Sequence, residues 1–266
     1  MQAVAINMMA FSITRIGGPA FAGFLIGWVG AAGNLFVQAA AFFIAAATAV
    51  LIVFPRHEHQ ATGRSAVAEL AEGLRFAVTN RNTRALLAAG IMPFFLLVPL
   101  FAGMLPLYAK DIYRSGPEVL GMLMTSVGVG GVAGGWIAGK CMRYARQGMV
   151  QACAIFGMSI AFTALAFAPS VPLACAALAA AGVGEMVHFT SNQATLQMCV
   201  PEAMRGRIAS LLQFYPGFIS LGVMVAGVFA DVIGIQLLTG LLAATAAVLA
   251  GLLLTPRGGL NAVRVS

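Results

Sequence analysis

Eight apolar runs, each near the ~20 residues that an α-helix needs to cross ~30 Å of hydrocarbon, alternate along the chain with short gaps that hold charge, glycine or proline. They extend from Ala3 to Val29, Leu35 to Phe54, Ala85 to Ala109, Val119 to Ala138, Gly148 to Ala168, Val171 to Val200, Ile208 to Ala230 and Ile233 to Leu254. Runs of this length predict spanning helices, so the pattern implies an all-α, polytopic membrane protein with eight crossings. The gaps at Ala168-Pro-Ser-Val-Pro172 and Asp231-Val-Ile-Gly234 are short enough to make the helices on either side antiparallel neighbours.

Three details refine this pattern. Pro93, Pro99 and Pro106 in the third run predict a kinked helix whose freed carbonyls are met by neighbouring helices, and Pro216 lies inside the seventh. Gly131, Gly135 and Gly139 recur every four residues in the fourth run and predict a smooth strip for close helix packing. The long polar gap after Phe54 places Val67, Leu70, Leu74 and Val78 at helical spacing, away from Glu69, Glu72 and Arg75. That pattern predicts an amphipathic helix, either lying on the membrane surface or serving as a soluble loop helix.

Composition agrees with the class, because 61% hydrophobic residues against 9% charged do not cover a water-soluble surface. The net charge of +7 does not point to nucleic acid. Its cations occupy the gaps, where they orient helices, and a nucleic-acid partner is disfavoured. With the first helix starting in the cytoplasm, the inner gaps and tail hold Arg56, Arg64, Arg75, Arg81, Arg84, Lys140, Arg143, Arg146, Arg205, Arg207, Arg257 and Arg264. The outer gaps then hold only Lys110 and Arg114, so both termini are expected to be cytoplasmic. Met1 is not followed by a charged segment and its apolar run continues into a span, so no cleavable signal peptide is expected. Cys141, Cys153, Cys175 and Cys199 lack the spacing of a zinc site or disulfide framework and are read as packing residues.

Chemistry concentrates in the sixth run. Glu185, His188 and Asn192 fall on one helical face in the middle of an apolar segment, where ionisable groups cost several kcal/mol unless they meet a partner or a water-filled cavity. Two readings stand. The stripe contacts substrate and exchanges protons, with burial raising the Glu185 carboxyl toward neutral pH, or it is a hydrogen-bonded polar group that fixes packing. A metal site is disfavoured, since Glu-x-x-His needs ligands from other helices and the motif has no second copy. Arg15 is the other charge inside a run, placed to neutralise an anionic substrate or to pair with an acid such as Glu185. Arg205 and Arg207 serve either an inward gate or topology alone, and Asp231 sits at the outer end of its run. His57 and His59 lie in the polar gap and read as solvated, whereas Phe94, Phe95 and Phe101 face a pocket or lipid. No HExxH, no Gly-x-Ser-x-Gly and no carboxylate cluster occurs, so an enzyme is not expected and no cofactor is implied.

The first and seventh runs also resemble each other. Gly18, Ala22, Gly23 and Gly30 match Gly222, Ala226, Gly227 and Gly234 at a constant offset, with six runs from the start of one copy to the start of the other. Parallel repeats of six-helix halves are a transporter plan, so the chain is expected to hold helices five to twelve of a twelve-helix protein, with the first four absent.

The string Asn7 to Gly23, NMMAFSITRIGGPAFAG, resembles the fifth helix of the major facilitator superfamily, in the branch of enterobactin-type siderophore and macrolide exporters. Its Arg-Ile-x-Gly-Pro-x-x-x-Gly pattern is matched by Arg15, Ile16, Gly18, Pro19 and Gly23. Glu72-Gly-Leu-Arg-Phe76 is similar to that branch's central cytoplasmic loop, Val200-Pro-Glu202 with Arg205-Gly206-Arg207 to its loop between helices ten and eleven, and Gly227 to Asp231 with Gly234 to the end of helix eleven. Thr14, Ala22 and Gly139 depart from the superfamily's motifs.

The resemblance implies a proton-driven efflux antiporter of a small, amphipathic molecule in the cell inner membrane, working by one helical bundle rocking against another. It assigns residues 1–54 to the last two helices of the first bundle, 55–83 to a cytoplasmic linker, 84–256 to a six-helix second bundle and 257–266 to a cytoplasmic tail. Gly18, Pro19, Gly23, Arg205, Gly206, Arg207 and Asp231 would then serve conformational change. Glu185, His188, Asn192 and Arg15 would serve substrate and protons. A non-transporting membrane subunit or an inactive fragment is the alternative.

Overall fold

The structure is a computed structural model that describes residues 25, 28–30, 32–51, 66–141, 146–255, 259–260 and 263. Its described residues are helical almost throughout, and seven helices among them are long and apolar enough to cross a membrane. The expected first run lies outside the described residues except for Leu25 and Trp28–Val29.

Helix α1 spans Ala32–Leu51 and exposes nearly all of its side chains. Helix α2, Ala66–Thr79, follows the polar gap and ends where Asn80 caps α3, Arg81–Leu96. The Asn80 side-chain oxygen accepts from the Thr83 amide at 3.0 Å and the Thr83 hydroxyl at 3.1 Å. One of the free amides of the first turn is thereby satisfied.

The third run is a single span, Arg81–Ile112, interrupted along its length. Pro93 is accommodated inside α3, but the chain then breaks into α4, Val98–Ala102, and α5, Leu105–Leu107, and closes on a π-helical turn at Tyr108–Ile112. Pro99 and Pro106 occupy the first turns of α4 and α5, where a missing N–H costs nothing. Pro99 cannot donate to the Phe95 carbonyl, and Gly222 packs against that carbonyl so closely that a Cβ there would overlap it.

Helices α6, Pro117–Cys141, α7, Gln147–Ala166, and α8, Val171–Cys199, form a tightly packed trio. Helix α9, Glu202–Leu212, is separated from α10, Tyr215–Ile233, by a turn at Gln213–Phe214. The expected seventh run lies within one span, Met204–Ile233, interrupted by that turn, and Pro216 stands in the first turn of α10. Gly234, at φ +81°, turns the chain directly into α11, Ile235–Leu254, a conformation that favours glycine. Helix α11 packs on α7 and α3, and α10 on α3 and α4.

The glycine strip is displaced from its expected position. Gly131 is buried, but Gly135 and Gly139 are exposed. The close approach runs instead through Gly130 and Gly134, where an added Cβ would meet the carbonyls of Ala179 and Val183, and through Gly182 opposite Val127 and Gly131. Helix α6 is buried on positions 123, 127, 128, 130, 131, 134 and 138, and the partner α8 decides which glycine row that face uses.

Helix α2 also turns a different face inward. Gly73 and Ala77 are buried and α2 packs on α9, while Leu74 and Val78 of the expected apolar face remain 55% exposed. Small residues win this contact because they let the two backbones approach. Gly73 sits opposite Arg207, whose Cβ would lie 3.1 Å from an added methyl.

Side-chain hydrogen bonds tie one end of the bundle together. The Tyr108 hydroxyl donates to Thr239 at 2.8 Å, Gln236 donates to the Ala166 carbonyl at 3.0 Å, and Tyr113 donates to the Ala168 carbonyl at 3.1 Å. At the other end the chain after α11 folds back, burying Leu260 and Val263 with Leu86, Ala89, Ala152 and Leu196.

Candidate functional site

Glu185 is the middle residue of the 29-residue α8, with fourteen residues on either side, near the depth of the bilayer centre for a helix rising ~1.5 Å per residue. Close contact of α6 and α8 at Gly130, Gly134 and Gly182 fixes the rotation of α8 and points this part of it between α6 and the broken α4–α5 segment. There Glu185 lines a cavity of about 210 Å³ with Val98, Phe101, Ala102 and Leu105 on one side and Met124, Val127 and Gly128 on the other. Among the described residues, every other lining side chain is apolar. Phe101 forms part of this wall and stacks on Phe162 behind it, ring centroids 4.8 Å apart.

His188 and Asn192 belong to a different environment. Asn192 is 1% exposed and its amide nitrogen donates to the Leu86 carbonyl at 2.8 Å and to Gln151 Oε1 at 3.0 Å. Its oxygen accepts from the Tyr215 hydroxyl at 3.5 Å. Asn192 thus ties α8 to α3, α7 and α10 at once. Gly90 makes this possible, because a Cβ there would run into the Tyr215 hydroxyl and stand 3.0 Å from Asn192 Oδ1. His188, 2% exposed, lies beside the backbone of Gln151 and Ala89, with neither ring nitrogen in a well-formed hydrogen bond. The predicted stripe is therefore divided. Glu185 faces the cavity, whereas His188 and Asn192 share Gln151 inside the helical packing.

Gln151 and Tyr215 were not singled out by the sequence pattern. Gln147 and Gln151, four residues apart and fully buried at the start of an otherwise apolar helix, form the signal that marks this buried polar face. Phe94 packs its ring on Phe189 and Tyr215, at centroid distances of 6.0 and 5.0 Å, and so belongs to this same interior.

The remaining candidates lie apart. Arg205 is exposed and its Nε donates to the Val200 carbonyl at 3.4 Å, just past the end of α8. Arg207 pairs with Glu72 at 3.0 Å and joins α9 to α2, while Gly206 between them is exposed and open. Asp231 is exposed near the end of α10. Arg15, Gly18, Pro19 and Gly23 lie outside the described residues, as do His57 and His59.

Comparison with known proteins follows the same lines. Residues 1–264 match the profile of the family described as transmembrane secretion effector. The chain is 25% identical over 232 residues to the multidrug efflux pump Tap of Mycolicibacterium fortuitum, a match covering 85% of this chain and 56% of that protein. It is 22% identical over 244 residues to the staphyloferrin A transporter of Staphylococcus aureus, covering 88% and 58%, respectively. Against macrolide efflux protein A of Streptococcus pyogenes it is 25% identical over 198 residues, covering 73% and 49%. The chain spans about half the length of the curated relatives it matches.

Proposed function

The chain belongs to the transmembrane secretion effector family of major facilitator transporters, and on that premise we propose that it forms part of a proton-coupled exporter of small amphipathic molecules. The helices from Arg81 to Leu254 make one bundle, which rocks against a second bundle containing α1 so that a midplane site opens to alternate sides. The names of the relatives, drug and macrolide efflux proteins and a siderophore transporter, support export of a small molecule. The excess of cations in the gaps at Lys140–Arg146 and Arg205–Arg207 supports placing those gaps in the cytoplasm of an inner membrane, with both termini on the same side.

One observation carries the coupling role: a carboxyl group at the centre of a spanning helix, lining a cavity between α6 and the α4–α5 segment. Such a group is neutral when its surroundings are dry and ionised when the cavity opens to water, so rocking changes its affinity for a proton. Substrate entering the same cleft meets the Phe101 wall and competes for that carboxyl. Asn192 acts one layer behind, holding α8 in register with α3, α7 and α10, with His188 buried beside the backbone of Gln151 and Ala89.

The test uses vesicles with an imposed pH gradient and a macrolide as probe substrate. Glu185→Gln is expected to lower gradient-driven efflux by on the order of 10²-fold while leaving substrate counterflow, which needs no net proton movement, near wild type. Gradient-driven efflux at the wild-type rate would remove Glu185 from the coupling step.

A further inference from the structure

A second, larger cavity lies on the other side of α8. It has a volume of about 610 Å³ and forms a groove between α7 and α8. Small residues, Ala154, Gly157, Ala180 and Gly184, leave the space, and Met149, Val150, Val183 and Val187 wall it. The close contact of Gly184 with Met158, where an added Cβ would lie 2.6 Å from Met158 Cγ, closes its floor. One end carries Arg146, an exposed cation immediately before α7. From Arg146 to Gly157 the groove follows α7 for eleven residues, ~16 Å at ~1.5 Å per residue, close to half of the ~30 Å hydrocarbon thickness. Its depth is that of one leaflet.

Charge and shape together specify the occupant. The chain has no acidic residue between Glu118 and Glu185, whereas Arg146 stands at the mouth of the groove and Lys140 and Arg143 precede it by a few residues in the sequence. Cations at the headgroup level beside a dry slot of one-leaflet depth match a molecule with an anionic head and a long acyl chain. We infer that the α7–α8 groove is a binding site for an anionic phospholipid of the leaflet that meets the Lys140–Arg146 turn, with the acyl chain along Ala154, Gly157 and Gly184 and the phosphate on Arg146. The site is separate from the Glu185 cavity and shares no lining residue with it. It therefore stands whether or not Glu185 couples protons.

Photo-crosslinking tests the assignment on the full chain in vesicles. The probe is a phosphatidylglycerol carrying a diazirine in its acyl chain, and the readout is the distribution of adducts over peptides. Adducts are expected to concentrate on Met149–Gly157 and Ala180–Val187, and unlabelled phosphatidylglycerol is expected to compete better than phosphatidylcholine. Arg146→Gln should weaken that competition about fivefold, ~1 kcal/mol, the scale of one cation at an anionic surface. Gly157→Leu fills the groove, and because nothing lies within 4 Å of a Cβ at that position, it is expected to exclude the lipid without disturbing the helices. Adducts spread evenly over all lipid-facing helices overturn the proposal. So does groove labelling that is indifferent to Arg146→Gln and to headgroup charge, the signature of an ordinary surrounding lipid. Displacement of the groove label by a second copy of the chain, read as protein–protein crosslinks across α7, would likewise replace the lipid by a dimer contact.

Discussion

Gly134 and Gly135 are adjacent in sequence, yet the structure assigns them opposite responses to the same substitution. A Cβ on Gly134 would stand 2.6 Å from the Val183 carbonyl oxygen and 2.9 Å from the Val183 Cα, where ordinary contact begins at 3.4 Å. The obstruction is backbone, so no side chain can rotate away, and relief requires α6 and α8 to separate. Overpacking of this kind costs about 1–3 kcal/mol. A Cβ on Gly135 meets only Met186 Cγ at 3.8 Å, an ordinary contact. Both substitutions gain the same helix propensity, about 1 kcal/mol for alanine over glycine, so the difference between them isolates the clash. The assay is thermal unfolding of the detergent-solubilised protein followed by size-exclusion. Gly135→Ala should match or exceed wild type, and Gly134→Ala should fall below Gly135→Ala by roughly 2–4 °C per kcal/mol of clash. The double variant Gly130→Ala/Gly134→Ala should cost less than the sum of its parts, because one helix displacement relieves both contacts. Equal melting temperatures for Gly134→Ala and Gly135→Ala would refute the packing register of α6 on α8.

Two further predictions use the hydrogen bonds. Asn192→Ala removes two good bonds and one long one; at ~0.6 kcal/mol for an average bond between membrane helices, the loss is about 1–2 kcal/mol, and Asn192→Asp should not restore it because the Leu86 carbonyl and Gln151 Oε1 both need a donor. Unchanged stability with abolished transport would instead make Asn192 a substrate contact. Tyr113→Phe deletes the bond to the Ala168 carbonyl, a loss of about 0.5–1.5 kcal/mol. Burial, and secondarily Cys175, pushes the Tyr113 phenol above its usual range, so the wild-type advantage is whole below the unfolded value and is lost as pH rises from there through the raised folded one. Chemical unfolding of both proteins across pH checks this, and a difference that vanished near neutrality would contradict it.

Seven of the eight expected spans fall within the described residues and were legible because hydrocarbon thickness sets a length that any helix must meet, whatever its partners. Features that depend on a partner were not. Gly131, Gly135 and Gly139 repeat as regularly as any packing strip, but α8 brings Ala179 and Val183 against the neighbouring row. In α2 the larger apolar side chains, Leu74 and Val78, marked one face, yet α9 docks where Gly73 and Ala77 permit close approach. Prolines in the third run predicted a kink, and the span they lie in is interrupted at more than one place. Pro93 is absorbed, whereas Pro99, Pro106 and Pro216 each begin a new helix. For the polar stripe, helical spacing correctly placed Glu185, His188 and Asn192 on one element. Their surroundings come from residues far away in the chain, Gln151, Leu86 and Tyr215 for one and Phe101 and Met124 for the other.

That division along α8 has a mechanical origin. Near Gly182 the helix is held by backbone contact with α6, and near Asn192 it is held by hydrogen bonds to three helices. A straight helix pinned at two levels leaves a gap wherever its neighbour cannot follow it, and α3 stops following at Leu97, where the chain breaks into short proline-started segments. The Glu185 cavity opens at that break, between Val98–Leu105 and Met124–Gly128. Interrupted backbone at membrane depth is tolerated where it is buried in protein or lines a cavity, and here it does both. The prolines and the carboxylate are therefore one feature: the breaks supply the space that Glu185 lines at the centre of α8.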